Sequence, residues 1–373
     1  MRVGTRRSPA VTKATTTRTT ERARVSRNEQ VRSLHWRLRW WRFAAASSLC
    51  VLGCTPRAAQ APAAAPPVPA LHRGPPAEFV SAAGLRWLVL LKPRQLFANA
   101  DLARAIQRIA TPERFAAFAQ VSGVDLRELP DAAIAGWPYS TMYLAELPSG
   151  VAATARARFA ERLLSGALTK HAHPGLFRIT GVIGQTPETL VTVDDRLLAV
   201  AVGDPVQAKV VEAYAEQRLK NSPTALRGAA LASLPDLGAD NAAVFYAPGP
   251  FADEWQHAAN GLLESSLAIA IAANPIDNGK LATTICLSGA WQRSSDDAAS
   301  RLSVAWKSFA SSSAGRLFDL NDQAVVTATP ELLTLHVELD LEGLLRGLKA
   351  SVLGDLSDIL QMPSRREPAV KDR

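Results

Sequence analysis

The residue types able to do chemistry are few in this chain of 373 residues, which carries six histidines and three cysteines. His171-Ala-His173 would project two imidazoles to the same side of an extended segment. Two ligands do not make a zinc site, and no further His, Cys or carboxylate follows at a metal-ligand spacing. With Pro174-Gly175 directly downstream, the pair reads as solvated loop histidines, and no metal is expected. Asp194-Asp195 and Asp296-Asp297 are adjacent carboxylates of the kind that split their pKa values when they face a cleft. The first pair reads as a hairpin turn and the second as a helix N-terminus, both ordinary stations for aspartate.

Nucleophilic catalysis finds no better footing. There is no Gly-x-Ser-x-Gly elbow and no Ser-x-x-Lys with a partner motif. Ser311-Ser-Ser313 reads as a helix running out into a polar loop, and His257 and His336 are lone histidines in a predicted helix and a predicted strand. Cys286, inside Thr283-Thr-Ile-Cys-Leu287, reads as a small buried hydrophobe. Gly136, Gly150 and Gly166 are too dispersed to cradle a phosphate. The expectation is therefore no catalytic residue and no cofactor, with a non-enzymatic role favoured and the enzyme question left open.

The cysteine with chemistry in prospect is Cys54. Arg37, Arg39 and Arg42 can stay on the cytoplasmic side while Phe43-Ala-Ala-Ala-Ser-Ser-Leu-Cys-Val-Leu-Gly53 enters the membrane. That run is about half the roughly 20 apolar residues a spanning helix needs, so it has the length of a signal h-region. It ends in Val51-Leu52-Gly53-Cys54, which resembles the lipobox of bacterial lipoproteins. The resemblance implies cleavage between Gly53 and Cys54 and a lipid on the Cys54 sulfur. Thr55 rather than Asp after the cysteine leans, within that family, toward the outer membrane, facing the periplasm or the surface. Residues 1–36, rich in Arg, Thr and Ser, exceed an ordinary n-region, which points to a start of translation near Val25 or Val31. A transit peptide is the competing reading of such a leader, and the lipobox argues against it.

The formal charge of +8 raises the question of nucleic acid. Residues 1–53 hold twelve Lys/Arg and two Asp/Glu, leaving thirty basic and thirty-two acidic side chains in the rest. A near-neutral body with no long single-sign run is not expected to bind nucleic acid. With Cys50 removed and Cys54 acylated, Cys286 alone remains, which excludes a disulfide framework within one chain.

The elements follow from composition and periodicity. Residues 54–76, rich in Ala and Pro, read as an extended tether. The body, 77–362, precedes a polar tail, 363–373, and its pattern repeats. A first unit, 77–235, opens with the strand Leu85-Arg-Trp-Leu-Val-Leu-Leu91 and continues with helices at 100–109 and 112–121, the second capped by Thr111 ahead of Pro112. Ser140-Thr-Met-Tyr-Leu-Ala-Glu146 is a strand, 150–165 a helix with Val151, Ala155, Phe159 and Leu163 on one face, and 176–183 a strand. The runs 189–193 and 197–202 make a hairpin. After Asp204-Pro205 comes a helix with Val206, Val210 and Tyr214 on one face.

The second unit, 236–362, has a strand at 242–247, a long helix at 250–272 and a strand at 281–290. A helix from Asp296 or Asp297 presents Ala298, Leu302, Ala305, Trp306 and Phe309. Strands at 324–328 and 332–337 and a helix at 341–349 follow. Both units read β-α-β-α-β-β-α, an internal duplication, and the fold class is α+β with helices on one face of each mostly antiparallel sheet. The layout resembles tandem α/β extracytoplasmic domains of bacteria with no known chemistry, Ser122-Gly-Val-Asp-Leu-Arg-Glu-Leu129 matching their turn after the first helical pair.

Function is expected to be binding or scaffolding by a lipid-anchored envelope protein, with the membrane and another envelope component as partners. Two rivals stand beside it. Gly261-Leu-Leu-Glu-Ser-Ser-Leu-Ala-Ile-Ala-Ile-Ala-Ala273, read as a helix apolar on nearly all sides beyond its first turn, is a buried core element or, for the carrier, lines a cavity for a lipid-like ligand with its mouth near 262–273. A divergent hydrolase needs a Ser or Cys beside a His oriented by a carboxylate.

Overall fold

The computed structural model describes residues 69–251 and 258–349. The leader, Gly53, Cys54, His257 and the expected tail lie outside the described residues. Among those described, no helix is long and apolar enough to cross a membrane.

Twelve strands make one sheet: β1 (Trp87–Leu91), β2 (Ala132–Trp137), β3 (Ser140–Glu146), β4 (Ser165–His173), β5 (Leu176–Ile183), β6 (Thr186–Val193), β7 (Leu197–Gly203), β8 (Ala243–Pro248), β9 (Ser266–Ile276), β10 (Lys280–Gly289), β11 (Val325–Ala328) and β12 (Leu332–Asp340). Their order is β11-β12-β10-β9-β8-β1-β2-β3-β7-β6-β5-β4. Neighbours run antiparallel throughout. With helices beside this sheet, the class is α+β, as the sequence predicts.

Register sorts the strand residues between two faces. Tyr246, Leu88, Ala135, Met142 and Ala201 follow one another across five strands and are all buried. They belong to the main core, which is roofed by the 3-10 turn Pro76–Phe79, by α5 (Val206–Ala215) and by the turns around Ala225 and Leu231. On the other face, α4 (Val151–Arg162) brings Phe159 onto Ile179 and Leu190. There α6 (Ser295–Ser311) brings Ala298, Leu302 and Trp306 onto Leu333, Leu335 and Val337. Helices thus pack on both faces, not on one, because adjacent strand residues such as Leu190 and Val191 are both apolar and both faces need cover.

Three helices, α1 (Pro93–Ala98), α2 (Ala100–Ile109) and α3 (Pro112–Ser122), join β1 to β2. Asn99 caps α2 through its side-chain oxygen, which accepts from Leu102 N at 2.9 Å. Thr111 precedes Pro112 as expected but makes no side-chain cap bond. Near the chain's end, α7 (Ser313–Leu317) follows α6 where a polar loop was expected, because Ser312 Oγ caps it by accepting from Gly315 N at 3.1 Å. A last helix, α8, spans 341–349 and packs Leu341 and Leu345 against Leu102 and Ala105 of α2.

Four expectations need correction. The helix expected at 250–272 does not continue through its described residues 258–272: a turn at Ala258–Gly261, with left-handed Ala259 and Asn260, leads through a 3-10 turn into β9. Ala268, Ala270 and Ala272 on one side and Leu267, Ile269 and Ile271 on the other give a period of two, which a uniformly apolar composition conceals. Two strands went unread: β2, whose Ala-Ala-Ile-Ala-Gly-Trp has little β-propensity, and β4. The halves therefore do not read β-α-β-α-β-β-α. Finally, residues 69–76 lie on the body rather than in the tether: Leu71 is buried and His72 N donates to Ala215 O at 2.7 Å.

Two helical stripes also differ in detail. In α5 the core side is Ala208, Val211 and Ala215 together with Tyr214, while Val206 is exposed. In α6, Ala310 is buried and Phe309 exposed.

Candidate binding cleft

The central strands end in a cleft. β1 stops at Leu91 because Lys92-Pro93 turns the chain into α1, Lys92 N still donating to Ala242 O at 2.8 Å. Opposite Leu91, Ala132 opens β2, and the carbonyl of the preceding Asp131 accepts from Glu146 N at 2.9 Å. Before β8, Asp236 Oδ1 accepts from Gly238 N at 3.0 Å and Asn241 Nδ2 donates to Leu237 O at 2.9 Å, which stiffens that loop. The segment Pro75, Pro76 and Ala77 closes the roof. Between these parts lies an open cleft of about 290 Å³ lined also by Leu90, Leu91, Ala132 and Leu226.

Its polar groups are Lys92, Asp131, Asp236 and Asn241. The Lys92 ammonium donates to the Ala239 carbonyl. Asp131 has no hydrogen-bond partner for its carboxylate among the described residues. Burial pushes its carboxyl above the usual range, the Glu146 charge adds to this, and Lys92 opposes both. Glu146 is itself answered by Arg196, at 2.5 Å. Beside the cleft, a crevice of about 20 Å³, room for about one water, is lined by His72, Arg73, Glu146, Asp194 and Arg196. Arg73 Nε donates to Asp194 Oδ2 there at 3.0 Å.

Among the described residues, none of the histidines, paired aspartates, serines and cysteines singled out for chemistry in the sequence lines this cleft. His171 and His173 end β4 instead of sitting in a loop, and His171 pairs along the backbone with Phe177. The His173 ring lies 2.8 Å from Pro69 O and 2.5 Å from Pro174 O, a roof contact rather than solvation alone. Gly175 takes the hairpin turn at φ 88°, where a Cβ would press on the Asp194 carboxylate. Asp194 is in that ion pair with Arg73, and Asp195 stands 3.9 Å from Arg156. Asp296 and Asp297 occupy the first turn of α6. Among the described residues, no three His, Cys, Asp or Glu side chains come together as metal ligands.

Cys286 is buried, its Sγ 3.9 Å from Thr334 Oγ1, and burial pushes its thiol up while Thr334 opposes. The exposed His336 has Nδ1 3.0 Å from Thr284 Oγ1. Among the described residues no Ser or Cys, His and carboxylate form a catalytic trio. Of the two readings of 262–273, core and cavity wall, the segment is packed interior, with Leu262, Ala268, Ala270 and Ala272 fully buried. Lys92, Asp131, Asp236 and Asn241 escaped the sequence reading because each borders a turn, where such residues are ordinary. Leu91-Lys92-Pro93 signalled a strand end and nothing more.

No protein-family model matches this chain, and no curated protein does. Among solved structures it resembles crystal form III of TP0453, with a TM-score of 0.45 and 10% sequence identity, over 75% of this chain and 99% of that one.

Proposed function

We propose that the protein is a lipid-anchored envelope lipoprotein, held at the outer membrane through Cys54, whose body has a non-enzymatic binding or scaffolding role. The observation that carries this reading is the lipobox at Val51-Leu52-Gly53-Cys54 after a short apolar run. The body supports it: the tether joins the fold at residues 69–79, and that joining segment supplies the roof of the cleft. A diacylated and N-acylated cysteine anchors firmly, whereas one acyl chain gives only marginal binding. Membrane fractionation tests this. The wild-type chain is expected in the membrane pellet, Cys54→Ser in the soluble fraction, and pelleting of both after a carbonate wash contradicts the anchor.

A second reading, a carrier of a lipid-like amphiphile, draws on the cleft, where Leu90, Leu91 and Leu226 stand beside charged groups. The finer architecture belongs here too. We propose that the halves are copies of one unit. In the first, β1-β2-β3 lead to α4 and then to β6-β7, with β7 back on β3. In the second, β8-β9-β10 lead to α6 and then to β11-β12, with β12 back on β10. The hairpin β4-β5 is then an insertion, and the β1–β8 ladder is the seam between copies.

A further inference from the structure

We infer that the cleft between Lys92, Asp131 and Asp236 is a site for an organic ammonium carrying a short apolar chain. The inference rests on the reading of the body as a binding module and names the ligand class. Its first support is a mismatch of donors and acceptors. Two carboxylates, Asp131 and Asp236, line the cleft with one cation, Lys92, which already donates to the Ala239 carbonyl. Asp236 Oδ1 is answered by Gly238 N. The Asp131 carboxylate has no hydrogen-bond donor among the described residues, and Glu146 nearby adds negative charge although Arg196 pairs with it.

A carboxylate that is partly desolvated and undonated is relieved by a charged donor, and an ammonium supplies three N–H groups. An anionic ligand would meet Lys92 but stand against both aspartates. The second support is the wall: Leu90, Leu91 and Leu226 offer an apolar surface for the rest of the molecule. At about 290 Å³ the cleft lies near the small end of ligand sites, which suits a chain of about six carbons rather than a full acyl lipid.

The test uses the full-length chain with Cys54→Ser, so that failure of the anchor reading, scored by fractionation, is separate from failure at the cleft. Calorimetric titration at pH 7 compares n-hexylammonium, hexanoate and hexanol at equal ionic strength. The expected result is one site for n-hexylammonium, at least tenfold tighter than for the other two. Asp131→Asn is expected to weaken it tenfold or more while melting no lower than wild type at pH 7, and Lys92→Met to leave it equal or tighter. If Asp131→Asn does not fold, Leu226→Trp fills the cleft from its wall and is expected to abolish binding. Tighter binding of hexanoate, lost in Lys92→Met, overturns the inference, as does hexylammonium binding that is absent or indifferent to these substitutions.

Discussion

Arg178 on β5 donates to Glu212 on α5 at 2.8 Å, and the other carboxylate oxygen of Glu212 is buried without a partner. The Arg178 and Glu212 side chains are 16% and 6% exposed, so the pair is isolated from water where α5 crosses the sheet. Breaking such a pair leaves a buried charge, which costs about 3–5 kcal/mol, whereas replacing both partners with apolar residues is close to neutral. Arg178→Met is therefore expected to destabilise strongly and Arg178→Met with Glu212→Leu to recover most of the loss, as read by urea denaturation. Equal losses in the single and double variants contradict this.

A pH dependence follows from Asp131. Its carboxyl is raised in the fold, so the native state holds the proton more tightly than the unfolded chain, whose value is near 3.8. The stabilisation from this group is complete below that value and is lost as pH rises through the raised one. Asp131→Asn removes the loss, and is expected to gain stability relative to wild type at pH 7 and to lose that advantage toward pH 3. Denaturation midpoints at several pH values read the gap directly, and a gap that is constant with pH sinks the argument.

Gly136 sits opposite Trp87 across the β1–β2 ladder, where a Cβ would collide with the indole. Gly136→Ala is expected to cost about 1–3 kcal/mol through overpacking. Trp87→Ala in the same chain should make the alanine tolerable. A double-mutant cycle on thermal unfolding checks this, additivity of the two losses being the contrary outcome.

Strand parity in β9 separates two residues that a helix would place on one face. Leu267 is 54% exposed and Ala270 fully buried. Leu267→Lys is expected within about 0.5 kcal/mol of wild type, while Ala270→Lys forces a charge into the core and unfolds the chain. Similar effects at both sites would return the segment to the helix expected from its composition.

That segment marks where sequence legibility ended. The hairpin β6-β7 was legible because Asp194-Asp-Arg196 separates two runs rich in β-branched and aliphatic residues, and α6 because Ala298, Leu302 and Trp306 keep the helical spacing. β9 and β2 were not, since their alanine-rich runs carry no period that tells strand from helix. The cleft was illegible for a related reason. Lys92, Asp131 and Asp236 lie far apart in the chain, and the antiparallel register of β1 with β2 and β8 alone brings them together.

The central claim is the anchor at Cys54, and metabolic labelling with an alkyne palmitate tests it most directly. The account predicts label on the wild-type chain and none on Cys54→Ser, with Cys286→Ser labelled like wild type because that thiol is buried in β10. Absence of label from the wild-type chain, or label surviving in Cys54→Ser, would contradict it.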